Sequence, residues 1–185
     1  MTTIDNPMNA PAPGSVSPWP VSMRYGGIIS VILIIFGLIL YVTGISDPAK
    51  PSGASQVLSC LNYIIMIAGI VMAIKYHRDK ELGGFISLGR GIGTGTLTGL
   101  VIGVISAVWM IIFMKFIAPD MSQAIMDAAM SQAQPGQEEM TEKMVGYFSN
   151  PFSLAIISLI GSVIIGFLTG LIGGAIMKKE PPMAA

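Results

Sequence analysis

The side chains that carry most enzyme chemistry are nearly missing from this chain. One histidine, His77, and one cysteine, Cys60, are the only imidazole and thiol among 185 residues. A lone imidazole cannot complete a His-based metal site, and a lone thiol excludes a disulfide framework or a Cys-based cluster. The run Gly89-Arg90-Gly91-Ile92-Gly93-Thr94-Gly95 raises a nucleotide-loop reading. It fails, because Thr94 stands where a dinucleotide fingerprint needs glycine, no strand precedes it, and no Lys-Ser/Thr closes a phosphate loop. Met121, Met126, Met130, Met140 and Met144 offer soft thioethers of the kind that hold Cu(I). With fourteen methionines spread along the chain, filling apolar gaps is the simpler role. We therefore expect a non-enzymatic protein with no cofactor and no metal.

The chain that carries these residues is 52% hydrophobic and 11% charged, with a mean hydropathy of +0.72. Soluble domains carry roughly 25% charged residues, so much of this surface must face something other than water. Ten basic and ten acidic residues balance, which argues against nucleic acid bound by phosphate neutralisation. A spanning helix needs about 20 mostly apolar residues, and the charges leave four such gaps: Arg24 to Asp47, Lys50 to Lys75, Arg90 to Lys115 and Lys143 to Lys178. Open strands cannot span lipid, because their backbone groups would go unpaired. The expected fold is all-α, with four transmembrane helices near 25–45, 56–76, 91–115 and 152–177. The last begins at Asn150-Pro151, since proline suits a helix's first turn.

The segment 1–20 is rich in proline and polar residues and reads as a disordered tail. Residues 21–179 read as one four-helix membrane domain, and 180–185 as a short second tail. A cleaved signal peptide is not expected, because the first apolar run starts late and no A-x-A site follows it. Orientation follows Lys and Arg. With the N-terminus inside, Arg24, Lys75, Arg78, Lys80, Arg90, Lys178 and Lys179 fall on the cytoplasmic side, and Lys50, Lys115 and Lys143 on the other. Both termini are therefore expected in the cytoplasm.

Small residues recur every four positions in two of the spans. Gly91, Gly95, Gly99 and Gly103 form one stripe; Ser162, Gly166, Gly170 and Gly174 form the other. Lipid supplies little hydrophobic drive between helices, so close backbone approach over small residues does the packing. The third helix runs outward and the fourth inward, which puts both stripes in the same leaflet. An antiparallel register then pairs Gly91 with Gly174, Gly95 with Gly170, Gly99 with Gly166 and Gly103 with Ser162. A stripe facing a second copy is the rival reading, and a glycine hinge or pore lining is another.

Apart from Lys75 and Lys115 at the span ends, no span contains Asp, Glu, Lys, Arg or His, which weakens a charge-coupled carrier. Ser59, Cys60, Asn62, Thr94, Thr96, Thr98, Ser106, Ser158, Ser162 and Thr169 remain as polar groups, expected to bond between helices or to their own backbone. Asn62 is the most expensive to bury and so is expected to have a partner. The loop Lys75–Glu81 reads as a solvated charge cap, with His77 on the surface; anionic headgroups are its alternative ligand. In the loop 116–150, Pro119-Asp120 marks a helix start. A second short helix follows from Glu138 and is expected to bury Met140, Met144, Val145 and Phe148. Both read as amphipathic helices on the outer membrane face.

Three further stretches bear a family likeness: Arg24-Tyr25-Gly26, then Ile74-Lys75-Tyr76-His77-Arg78 with Leu82 to Gly91, then Phe116-Ile117-Ala118-Pro119-Asp120. Together they resemble the bacterial membrane family called domain of unknown function 4199, over about residues 21–179. The resemblance implies a four-helix bacterial inner-membrane protein with no assigned activity and no catalytic residues to carry over. Its expected surroundings are the lipid bilayer and a possible homo-oligomer or membrane-protein partner. A scaffold or accessory subunit acting through helix packing is the leading function; an oligomeric channel or carrier for a small neutral solute is the alternative.

Overall fold

A computed structural model describes residues 16–45 and 53–179, without the side chains of 54 and 55. The tail 180–185 and most of the tail 1–20 lie outside the described residues. Six α-helices follow in order: α1 Trp19–Val42, α2 Gly53–Tyr76, α3 Leu88–Ile112, α4 Met121–Met130, α5 Glu138–Phe148 and α6 Pro151–Met177. Four of them are long and apolar enough to cross a membrane, so the fold is the all-α, polytopic one expected from the charge gaps.

The ends of these helices follow local chemistry more closely than charge. α1 begins at Trp19, six residues before the expected start, with Pro20 in the first turn where its missing N–H is harmless. A charge such as Arg24 limits the apolar span but does not stop the helix. α1 ends where Gly44 takes a φ of +68°, a left-handed conformation that closes helices. α3 starts at Leu88 rather than 91, because the Ser87 hydroxyl accepts the Arg90 backbone N–H at 3.4 Å and caps the end. α6 starts as the sequence indicates, with the Asn150 side-chain oxygen accepting the Phe152 N–H at 2.9 Å. α2 and α3 each finish in a single π turn, His77–Glu81 and Phe113–Ile117. The Leu82 N–H reaches the His77 carbonyl at 3.0 Å and the Ala118 N–H reaches that of Phe113 at 2.8 Å.

The chain gathers into two compact units, and the division runs across the long helices rather than between them. The first takes α1 up to Gly26, Ile67–Val101, and α6 from Val163 onward. Its core holds Val21, Ile70, Ala73, Ile74, Ile86 and Val101. Gly83 and Gly84, at φ of +63° and +90°, turn the chain after α2. Ile86 then pairs antiparallel with Lys179 through two 3.1 Å backbone bonds. The Tyr25 and Tyr76 rings stand 5.5 Å apart, with the Arg24 guanidinium over Tyr76.

The second unit is Gly27–Met66 with Ile102–Ser162. Tyr41 meets Phe113 edge-on at 5.0 Å, and the Lys115 ammonium lies 5.1 Å from the Phe152 ring centroid. α4 and α5 form a short hairpin, which the Ser122 hydroxyl fastens by donating to the Ser149 carbonyl at 3.1 Å. The burial expected for α5 does not occur: Met140, Met144 and Phe148 are exposed and Val145 is only half-buried. An 11-residue helix leaning on one 10-residue neighbour has too little partner surface to cover a whole apolar face.

Candidate helix-packing site

α3 is the element against which its neighbours close, and two of its faces do different things. One face carries the glycines. A Cβ built on Gly91 would lie 2.5 Å from the Gly174 α-carbon, and one on Gly95 would lie 2.6 Å from both the Gly170 α-carbon and the Gly166 carbonyl oxygen. From the other side, a Cβ on Gly166 would lie 2.6 Å from the Gly95 oxygen and 2.9 Å from the Gly99 α-carbon. One on Gly170 would meet the Gly91 oxygen, and one on Gly174 the Gly91 α-carbon. Backbone therefore rests on backbone on both sides of the contact.

The register departs from expectation at one end. Gly103 has Leu159 as its nearest neighbour, with the Leu159 α-carbon 3.1 Å from a built Cβ. Ser162, its expected partner, is buried and donates to the Ser158 carbonyl at 2.7 Å. At 3.6 residues per turn, a four-residue stripe rotates about 40° around the helix at each step. Extended far enough, it leaves the line of contact.

The second face of α3 carries hydroxyls toward α1. Ser22, Thr94 and Thr98 are all fully buried. The Thr98 hydroxyl lies 2.7 Å from the Thr94 carbonyl and 3.2 Å from the Ser22 hydroxyl, while the Ser22 hydroxyl reaches the same carbonyl at 3.3 Å. Thr94 and Thr96 donate back to Arg90 and Ile92, each at 2.8 Å. One turn along α1, Gly26 fits against Val101, where a Cβ would come within 2.7 Å of the valine side chain.

This geometry is one of close apolar and hydroxyl packing, and it sits in a chain whose residues 24–179 match the family model described as a protein of unknown function (DUF4199). The chain belongs to that family. No curated protein and no solved structure matches it.

In this DUF4199 protein two polar positions depart from expectation. His77 is fully buried rather than on the surface. It continues the inward stripe Met66, Ile70, Ala73 and Ile74, so the helical period carries it into the core although charges flank it. Its Nδ1 faces the Glu81 carboxylate at 2.5 Å, while Nε2 and the Arg90 Nη1 are buried without hydrogen-bond partners. Asn62, expected to be buried with a partner, is exposed on α2. Among the described residues, no group of three or more His, Cys, Asp or Glu side chains could hold a metal ion.

Sequence reasoning missed Ser22 because it began the first helix at 25, and Gly26 because small-residue stripes were read only in the last two spans. The signal was present: Ser22, Gly26 and Ser30 form a third stripe of small residues at four-residue spacing, and Ser22 and Ser30 are fully buried.

Proposed function

We propose that this protein works without catalysis, as a scaffold or accessory subunit of a bacterial inner membrane, with both termini in the cytoplasm. The observation that carries this reading is α3 itself, closed against α6 by glycine backbone and against α1 by a hydroxyl column. Helices joined this closely make a rigid post on which a larger assembly can be built. The alternative, a solute path lined by Ser and Thr, draws less support. Thr94, Thr96, Thr98 and Ser162 already donate to carbonyls of their own helices, which leaves little to line a path.

The orientation rests on the excess of Lys and Arg at the side of both termini. In a Cys60→Ser background, the Ser131→Cys variant should react with an impermeant maleimide on intact spheroplasts. The Asp79→Cys variant should react only after permeabilisation, and the reverse pattern would invert the topology. The function is tested in two steps. Lipid-polymer discs drawn from native membranes should carry the protein together with a stoichiometric membrane partner. Vesicles containing the purified protein should pass glycerol and urea no faster than protein-free vesicles; accelerated flux would move the channel reading to the front.

A further inference from the structure

The described part of the first unit is strongly basic: seven Lys and Arg side chains stand against two acids, Asp79 and Glu81. Both acids are already engaged. Asp79 accepts from the Arg78 Nε at 2.6 Å, and Glu81 faces the His77 Nδ1. Two of the bases lie over rings, Arg24 over Tyr76 and Lys179 over Phe85. Arg90 is left differently. Its side chain is half-buried and its Nη1 is fully buried without a hydrogen-bond partner, and no described acid of the unit is left to pair with it. A guanidinium stays charged at any pH a cell sees, and a charged donor left unmade costs more than a neutral one.

Arg90 also stands at the level of lipid headgroups. It is two residues inside the start of the span at Leu88, roughly 3 Å along the axis, and helical side chains lean toward the helix N-terminus. It heads the stripe of α3 that continues as Thr94 and Thr98 against Ser22 of α1, so it lies at the mouth of the α1/α3 seam. There is room beside it, since Gly89 is exposed and a Cβ there would meet nothing within 4 Å. The His77 Nε2 is the other buried atom without a partner. In a neutral imidazole whose Nδ1 donates to Glu81, Nε2 presents a lone pair, which repels an anion.

We propose that Arg90 anchors a binding site for an anionic phosphodiester, supplied by a lipid of the leaflet at that end of the bundle. Guanidinium and phosphate match in a fork of two parallel hydrogen bonds, and basic sites between spanning helices at a membrane face take such headgroups. The surplus of positive charge around Arg90 attracts the same ligand. The assignment goes beyond the scaffold reading and stands without it, since a lipid contact needs no further partner and no solute flux.

Native mass spectrometry of the full chain in a non-ionic detergent tests it, with equimolar phosphatidylglycerol and phosphatidylcholine offered together. The unmutated chain should retain phosphatidylglycerol in preference. Arg90→Gln should reduce that preference about tenfold, the scale of one charged hydrogen bond, and Arg90→Lys should keep part of it as a point charge. Lys80→Gln, which removes an exposed base of the same unit, should leave it within about twofold. Equal retention of both lipids by the unmutated chain, or a preference that survives Arg90→Gln or falls as far with Lys80→Gln, would overturn the assignment. So would displacement of the lipid by millimolar inorganic phosphate, which would give the site to a free anion. Thermal midpoints separate binding from a structural role. In lipid-free detergent Arg90→Gln should melt no lower than the unmutated chain, because an unpartnered buried charge is removed. Added phosphatidylglycerol should raise the unmutated midpoint and leave that of the variant in place. A variant that melts well below the unmutated chain, yet gains equally from the lipid, would make Arg90 structural and overturn the proposal.

Discussion

The first halves of α3 and α2 belong to spans that are equally apolar and equally able to cross a membrane, yet one is enclosed and the other is bare. In α3, Gly91, Thr94, Gly95, Thr98 and Gly99 are buried. In α2, Val57 and Ser59 to Ile64 are exposed. Hydropathy cannot distinguish them, because lipid tails accept an isoleucine as readily as a neighbouring helix does. What separates them is side-chain size. α3 offers a groove without Cβ atoms, into which another backbone can settle. α2 presents Val57, Leu61, Tyr63 and Ile64 over a similar length, and these side chains hold a neighbour at arm's length. In a bilayer, then, packing is governed by what is missing from a helix surface.

The comparison can be broken most sharply at its tightest point. Gly95→Leu and Gly170→Leu would each drive a side chain into facing backbone that has no rotamer to yield. Each should destabilise the protein by at least about 3 kcal/mol, the upper range of overpacking. In detergent that is a fall of about 10 °C in thermal midpoint, and an unchanged midpoint for both would dissolve the proposed importance of the glycine face. Gly26→Ala tests a contact with a side chain instead. It should cost about 1–3 kcal/mol because Val101 blocks the new methyl. Part of that loss should return in the Gly26→Ala/Val101→Gly double variant, because only glycine removes both the Cβ and the Cγ1 that stand 2.7 Å away, and simple additivity would show that the clash is elsewhere.

Smaller effects sharpen the contrast further. Thr98→Val keeps the shape but removes the hydroxyl shared with Thr94 and Ser22, and should cost about 1 kcal/mol in a chemical or thermal unfolding series. Gly93→Ala sits between two of the contact glycines but meets nothing within 4 Å. Its midpoint should stay within about 2 °C or rise slightly, as alanine favours the helix. A fall as large as that of Gly95→Leu would mean that helix propensity, rather than close approach, governs this segment.

Much of this was legible in the residues. The charge gaps located all four spans to within six residues at their starts, and Asn150-Pro151 marked the start of α6 directly. The four-residue glycine spacing alone pairs Gly91 with Gly174 and Gly95 with Gly170. Caps were less visible where charge was used as the boundary: Ser87 starts α3 ahead of Arg90, and Pro20 starts α1 ahead of Arg24. His77 is enclosed because it extends the stripe Met66, Ile70, Ala73, Ile74, a period that outweighs its charged neighbours. Asn62 is exposed because that stripe is covered only from Met66 onward.

The amino-acid sequence by itself determined the membrane class, the number of spans, the family and the two glycine stripes, because hydropathy and spacing are read locally along a chain. Only the tertiary structure decided which faces meet. It set Leu159 rather than Ser162 opposite Gly103, brought Ser22 to Thr98, enclosed His77 and left Asn62 uncovered. The physical reason is that a helix in lipid has no solvent to sort its faces. Its partner is chosen by shape and by hydrogen bonds, and both of these exist only once the helices have come together.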